Sequence, residues 1–166
     1  MSSSSSHPQR TGGQLIVDQL LTHGAELAFC VPGESYLPVL DALYTVRDRI
    51  KLITCRHENG AANMAEAYGK LTGKPGICLV TPGPGATNAS IGVHTAFQDS
   101  TPMILLIGQV GTDFIEREAF QEIDYRRMFG AMSCSGSMSI RCGTSPSDRI
   151  STMTAISQSS TTVTST

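Results

Sequence analysis

The chain has 166 residues, the size of one ordinary domain, and its 12 Lys and Arg against 14 Asp and Glu leave a net charge of −2. That balance excludes the basic stripe with which proteins hold nucleic acid or an anionic membrane surface. No apolar run reaches the ~18 residues that span a bilayer, and residues 1–10, with Ser2–Ser6, lack the apolar middle of a signal peptide and read as a disordered leader.

From Thr11 onward, helices and strands alternate. Thr11 caps a predicted helix with Ile16, Val17, Leu20 and Leu21 on one stripe, ended by Gly24. Leu27–Val31 reads as a buried strand closed by Pro32-Gly33, Leu37–Val46 as an amphipathic helix, and Lys51–Cys55 as a second strand. Glu58–Leu71 is an Ala-rich helix ending near Gly73, and Ile77–Thr81 is a third strand followed by the turn Pro82-Gly83-Pro84-Gly85. Ala86–Gln98 is the next helix, Met103–Ile107 a fourth strand ending at Gly108, and residues 113–129 are expected to form a helix around Phe114, Phe120, Ile123 and Phe129. Short apolar strands alternating with helices predict an α/β fold, a three-layer α/β/α sandwich with a mainly parallel sheet, spanning residues 11–130.

Composition changes beyond Gly130. Residues 11–130 hold 13 Ser and Thr in 120, and residues 131–166 hold 18 in 36, with no helical or strand period. This stretch is expected to be a Ser/Thr-rich tail, disordered or read from a shifted frame, so that the domain lacks its last strand and helices. Of five cysteines, Cys30, Cys55 and Cys78 lie singly in apolar runs, and Cys134 and Cys142 lie in the tail. Without a CxxC pair or Cys/His ligand spacing, a zinc site is not expected, and a reducing, cytoplasmic setting fits best.

In a parallel α/β sheet, ligands bind beyond the carboxyl ends of the strands. The segments after the four strands are Pro32-Gly33-Glu34-Ser35, Arg56-His57-Glu58-Asn59-Gly60, Pro82 through Asn88, and Gly108-Gln109-Val110-Gly111, the most polar and glycine-rich junctions of the chain. Their convergence on one edge points to a site. Each also has a plainer reading: Pro32-Gly33 and Gly108 as loop punctuation, and Glu58 as a first-turn carboxylate complementing a helix dipole. The Pro-Gly-Pro-Gly turn could cradle a phosphate with backbone N–H groups, but neither a Walker nor a GxGxxG pattern is present.

Arg56-His57-Glu58-Asn59-Gly60-Ala61-Ala62-Asn63-Met64-Ala65-Glu66 resembles the catalytic-glutamate motif of the N-terminal, pyrimidine-binding domain of thiamine diphosphate enzymes, in particular the acetolactate synthase catalytic-subunit group. Thr81-Pro82-Gly83-Pro84-Gly85-Ala86-Thr87-Asn88 is similar to that family's T-S-G-P-G-A-T-N turn, with Pro82 in place of its Ser. Asp99-Ser100-Thr101-Pro102, Gly108-Gln109-Val110 and Ala119-Phe120-Gln121-Glu122 follow in the family's order. The resemblance implies an enzyme that decarboxylates a 2-oxo acid and ligates the resulting carbanion. It implies that Glu58 hydrogen-bonds the aminopyrimidine ring nitrogen, favouring the imino tautomer that deprotonates the thiazolium, the cofactor supplying the remaining chemistry. It further implies that Pro32, Gly33, Pro84 and Asn88 lie near the pyrimidine, and that Ser100 and Gln121 approach the cofactor or its substrate adduct. Glu34 stands where many acetolactate synthases carry small residues, so its role is open.

The family's Gly-Asp-Gly motif for the Mg–diphosphate end does not occur in the chain, nor does a flavin (FAD) domain. The chain is therefore expected to hold only the pyrimidine end of thiamine diphosphate, to bind no metal itself, and to be inactive alone. It is expected to work as a homodimer or with a partner chain that carries the diphosphate-binding domain and Mg. Two alternatives stay open: the pyrimidine-binding subunit of a split 2-oxo-acid decarboxylase, and a non-catalytic α/β interaction fragment.

Overall fold

A computed structural model describes residues 10–133, 135–142 and 151–158. The expected Ser-rich leader (but for Arg10), Cys134, and residues 143–150 and 159–166 of the expected tail lie outside the described residues.

Helix α1 (Gly12–Thr22) begins with a reciprocal cap: the Thr11 hydroxyl accepts from the Gln14 amide at 3.1 Å, and the Gln14 side chain accepts from the Thr11 amide at 2.9 Å. Strand β1 (Leu27–Cys30) follows, then a 3-10 turn at Glu34–Tyr36, α2 (Leu37–Thr45) and β2 (Lys51–Thr54). Helix α3 (Glu58–Thr72) starts under a His57 cap and stops at Gly73, which takes the left-handed conformation at φ 69°. Strand β3 (Gly76–Val80), α4 (Pro84–Asp99) and β4 (Met103–Gly111) complete the regular alternation.

β1, β2, β3 and β4 are parallel in the order β2-β1-β3-β4. Strand alternation divides the core between the two faces of this sheet. Ala28, Cys30, Ile77, Leu79 and Leu106 face Ile16, Val17 and Leu20 of α1 and Val39 and Leu43 of α2. Phe29, Cys78, Val80, Leu105 and Ile107 face Ala61, Ala62 and Ala65 of α3 and Ala89, Val93 and Ala96 of α4. The result is the three-layer α/β sandwich the sequence predicts. The second face is packed with small side chains, so α3 lies close upon the sheet. A Cβ on Gly76 would sit 1.8 Å from the Ala65 carbonyl oxygen, which excludes any side chain there.

Two features differ from the sequence reading. Residues 113–129 form no continuous helix: after a 3-10 turn at Thr112–Phe114, an irregular loop runs to α5 (Tyr125–Phe129). Three non-glycine residues in this loop have positive φ, Glu116 at 63°, Glu118 at 53° and Gln121 at 69°, and a helix cannot pass through such backbone. Phe120 is accordingly 85% exposed, whereas Phe129 is buried in the core.

The sheet also continues beyond β4. The backbone of β5 (Ser135–Cys142) pairs antiparallel with β6 (Ser151–Gln158), and β6 pairs antiparallel with β4, from Met103 opposite Gln158 to Gly111 opposite Ser151. Main-chain pairing of this kind needs no hydrophobic alternation, which is why no strand period marks these residues. Among the described residues, no helix is long and apolar enough to cross a membrane.

The close fit of β3 on α3 is testable. Gly76→Ala should force strand and helix apart and lower the unfolding free energy by about 1–3 kcal/mol, measured as an earlier midpoint in urea or thermal denaturation.

Candidate functional site

The loop after β1 and the turn after β3 meet around one side chain, Thr81, the residue after β3, and the start of α3 adjoins that turn at Gly85. A Cβ on Gly33 would lie 2.0 Å from the Thr81 Cγ2, and one on Gly85 would lie 2.4 Å from its Oγ1. Thr81 thus fills the space that side chains at Gly33 and Gly85 would need. The same hypothetical Cβ on Gly85 would be 3.4 Å from Glu58 Oε1. The loop after β1, the turn after β3 and the start of α3 are thereby drawn together at one edge of the sheet.

Glu58 is the first residue of α3 and is half-buried. Its Oε2 accepts a hydrogen bond from Asn88 Nδ2 at 3.0 Å, reaching from the first turns of α4. Two residues thirty positions apart therefore share one polar contact, with Gly85 beside it. His57 precedes Glu58, and its Nδ1 accepts from the Asn59 amide at 3.2 Å, which caps the helix and fixes where the Glu58 side chain emerges.

The floor of the site is held by tyrosines. Tyr36, fully buried, donates its hydroxyl to the Val31 carbonyl and lies 3.4 Å from the Leu79 carbonyl, tying the ends of β1 and β3. Tyr125, at the start of α5, accepts from the Gly83 amide at 2.8 Å and donates to the Gln121 carbonyl at 3.5 Å. Burial pushes both phenols above their ordinary range. Gly83 itself adopts φ 54°, and a Cβ there would lie 2.9 Å from the Gln121 carbonyl oxygen, so Gln121 packs directly on the turn.

Of the residues singled out from the sequence, Gly33, Glu58, Pro84, Asn88 and Gln121 belong to this cluster or to the turn and helix that build it, and exposed Pro32 leads into Gly33. Ser100 does not. It is the exposed cap residue at the opposite end of α4, and the 16 residues of that helix, at ~1.5 Å each, set it roughly 24 Å from Pro84. Glu34 is exposed on the 3-10 turn after Gly33, and the neighbouring Ser35 Oγ is buried with no hydrogen-bond partner among the described residues. The sequence reading did not single out Thr81 or Tyr125 as site residues. A threonine between two glycine loops is legible only once the loops are seen to touch it, and Tyr125 lies 42 residues from the amide it holds. Among the described residues, no group of three or more His, Cys, Asp or Glu could hold a metal ion.

Residues 10–128 match the family model described as "Thiamine pyrophosphate enzyme, N-terminal TPP binding domain". The chain is 44% identical over 118 residues to an acetolactate synthase large subunit from Pyropia yezoensis, covering 70% of this chain and 20% of that protein. It is 46% identical over 115 residues to the mitochondrial acetolactate synthase catalytic subunit of Aspergillus candidus, covering 69% and 16%. With the mitochondrial acetolactate synthase of Schizosaccharomyces pombe it shares 43% over 120 residues, covering 72% and 18%. The chain spans about a fifth of the length of the curated relatives it matches.

Tyr125→Phe should leave the buried Gly83 amide without an acceptor and cost about 1–3 kcal/mol of stability. Tyr36 and Tyr125 are both held neutral by the fold, so in the unfolded chain they ionise first, near the ordinary value of 10.0. Their contribution to stability should therefore fall as pH rises beyond that value, with a shallower fall in Tyr125→Phe. Urea titrations across alkaline pH measure both effects.

Proposed function

The chain belongs to the thiamine pyrophosphate enzymes, matching their N-terminal TPP-binding domain, and from that premise we propose that it holds the aminopyrimidine end of thiamine diphosphate at Glu58 as part of an acetolactate synthase-like enzyme. The observation that carries this reading is the contact between Glu58 and Asn88. It occupies Oε2 and leaves Oε1 beside Gly85.

The residues fit the proposed ligand. A nitrogen-bearing ring needs a carboxyl to exchange a proton with its ring nitrogen, and Glu58 supplies it. Gly33 and Gly85 let the strand-end loops close on Thr81, which leaves Gly85 beside that carboxyl. Asn88 fixes the carboxyl, because its amide donates to Oε2 and leaves Oε1 as the oxygen that takes or gives the proton. Pro32 and Pro84 stiffen the approaches to Gly33 and Gly85. Gln121 packs on Gly83, and its amide side chain is proposed to meet the cofactor or what is bound to it. When bound, thiamine diphosphate would supply the nucleophilic carbon and the electron sink for decarboxylation of a 2-oxo acid and ligation of the resulting carbanion to an acceptor.

The diphosphate end and its Mg would rest on a domain carrying the Gly-Asp-Gly motif, which residues 1–166 do not contain. The outward side of α3 and α4 exposes Met64, Leu71, Ile91 and Phe97, an apolar surface that supports association with a second subunit. The separate thiols Cys30, Cys55 and Cys78 are in keeping with a reducing, cytoplasmic setting.

Thiamine diphosphate titrated into the full chain should bind weakly and without dependence on Mg, and the chain alone should release no CO2 from 2-oxo acids. Glu58→Gln and Asn88→Ala should each weaken the binding by roughly tenfold, the effect of losing one hydrogen bond to a charged group. Tight Mg-dependent binding or turnover by the chain alone would refute the division between two domains, and binding indifferent to Glu58→Gln would refute the site.

A further inference from the structure

The loop between β4 and α5 carries Gln121 to Gly83, yet it is neither helix nor strand, and it holds three positive-φ residues without a glycine among them. Such backbone is costly and persists only where surrounding groups over-determine it. Here one side chain does so. The Glu122 carboxylate accepts the Glu116 amide at 2.5 Å and the Ala119 amide at 3.2 Å, with the Arg117 amide 3.4 Å away. The Glu122 amide in turn donates to the Ala119 carbonyl at 2.9 Å, closing the turn in which Gln121 sits. Three main-chain donors converge on this one carboxyl group, and hydrogen bonds to a carboxylate are stronger than their neutral counterparts.

The rest of the loop is tied at its exit. Gln109 of β4 donates its side-chain amide to the Ile123 carbonyl at 3.2 Å, and Asp124 caps α5 by accepting the Arg126 and Arg127 amides at 3.0 and 3.2 Å. Between these ties, the main chain of Gln121 lies against Gly83, whose amide is held by Tyr125. Gly83 opens the turn from which α4 rises, and α4 presents Asn88 to Glu58.

We infer that Glu122 is a positioning residue: by gathering the 116–119 amides it sets Gln121 against Gly83, and through that turn it sets the Glu58–Asn88 contact. The consequence for the cofactor rests on the function proposed above, whereas the consequence for Gly83 does not.

Amide hydrogen exchange of the full chain, followed residue by residue, separates the two. In Glu122→Ala, the Glu116 and Ala119 amides should exchange about tenfold faster or more, and the Gly83 amide should accelerate with them, while the β1 amides keep their rates. Thiamine diphosphate should bind roughly tenfold more weakly. Glu122→Gln, which keeps one carbonyl acceptor, should fall between wild type and alanine, and it decides the matter if the alanine variant loses protection in β1 as well. Accelerated loop amides with an unchanged Gly83 amide would overturn the inference, as would a loop that keeps its protection without the carboxylate. If wild type binds no thiamine diphosphate, the proposed function fails and the Gly83 amide alone decides the role of Glu122.

Discussion

The architecture of the site depends on a packing constraint at the end of β3. Thr81 stands where the loop after β1 and the turn into α4 come closest, and both approach it with glycine. Were Gly33 or Gly85 any other residue, its first carbon would overlap the Thr81 side chain, and the two segments would have to part. Their separation would in turn move the start of α4 away from the start of α3, and with it Asn88 from Glu58. A hydrogen bond between side chains from different helices is weak by itself. It is held in place because a well-packed edge leaves the two helix ends nowhere else to go.

The same constraint explains the plain composition of the layer behind it. α3 and α4 meet the sheet through alanines and glycines, and one glycine of β3 lies against the α3 main chain. Small side chains contribute little buried area each, but they bring helix backbones near the strand ends whose loops form the site. The opposite layer, with Ile16, Val17, Leu20, Val39 and Leu43, is packed with larger aliphatic side chains and carries no part of the Glu58–Asn88 contact. Bulk on one face and closeness on the other follow from the use each face is put to.

Much of this was legible in the residues. Short apolar runs, helix-length apolar stripes and glycine or proline at most junctions located the four parallel strands and four helices, because each of those signals arises within a few neighbouring positions. The Thr11 cap and the Gly73 stop were readable for the same reason. The loop from 112 to 124 was not. Its phenylalanines and isoleucine fall near helical spacing, and what defeats the helix is a carboxylate bonding to amides three to six residues back, a pattern that no apolar count registers. Ser100, read beside the cofactor, lies at the distal end of α4, because a motif gives order along the chain but not the length of the helix between its parts. The pairing of β6 with β4 was equally hidden, since main-chain ladders are blind to side chains.

That pairing bears on how the molecule is assembled during synthesis. The β1–β4 core forms from neighbouring strand–helix units, each able to close soon after it leaves the ribosome. β4 is different: its second ladder waits for residues 151–158, some forty positions downstream. For as long as those residues are still being made, the strand at the centre of the finished sheet is its bare rim, with a row of free amides and carbonyls facing solvent. At ~5–20 residues per second the interval is a matter of seconds, long enough for a neighbouring nascent chain to compete for the same ladder.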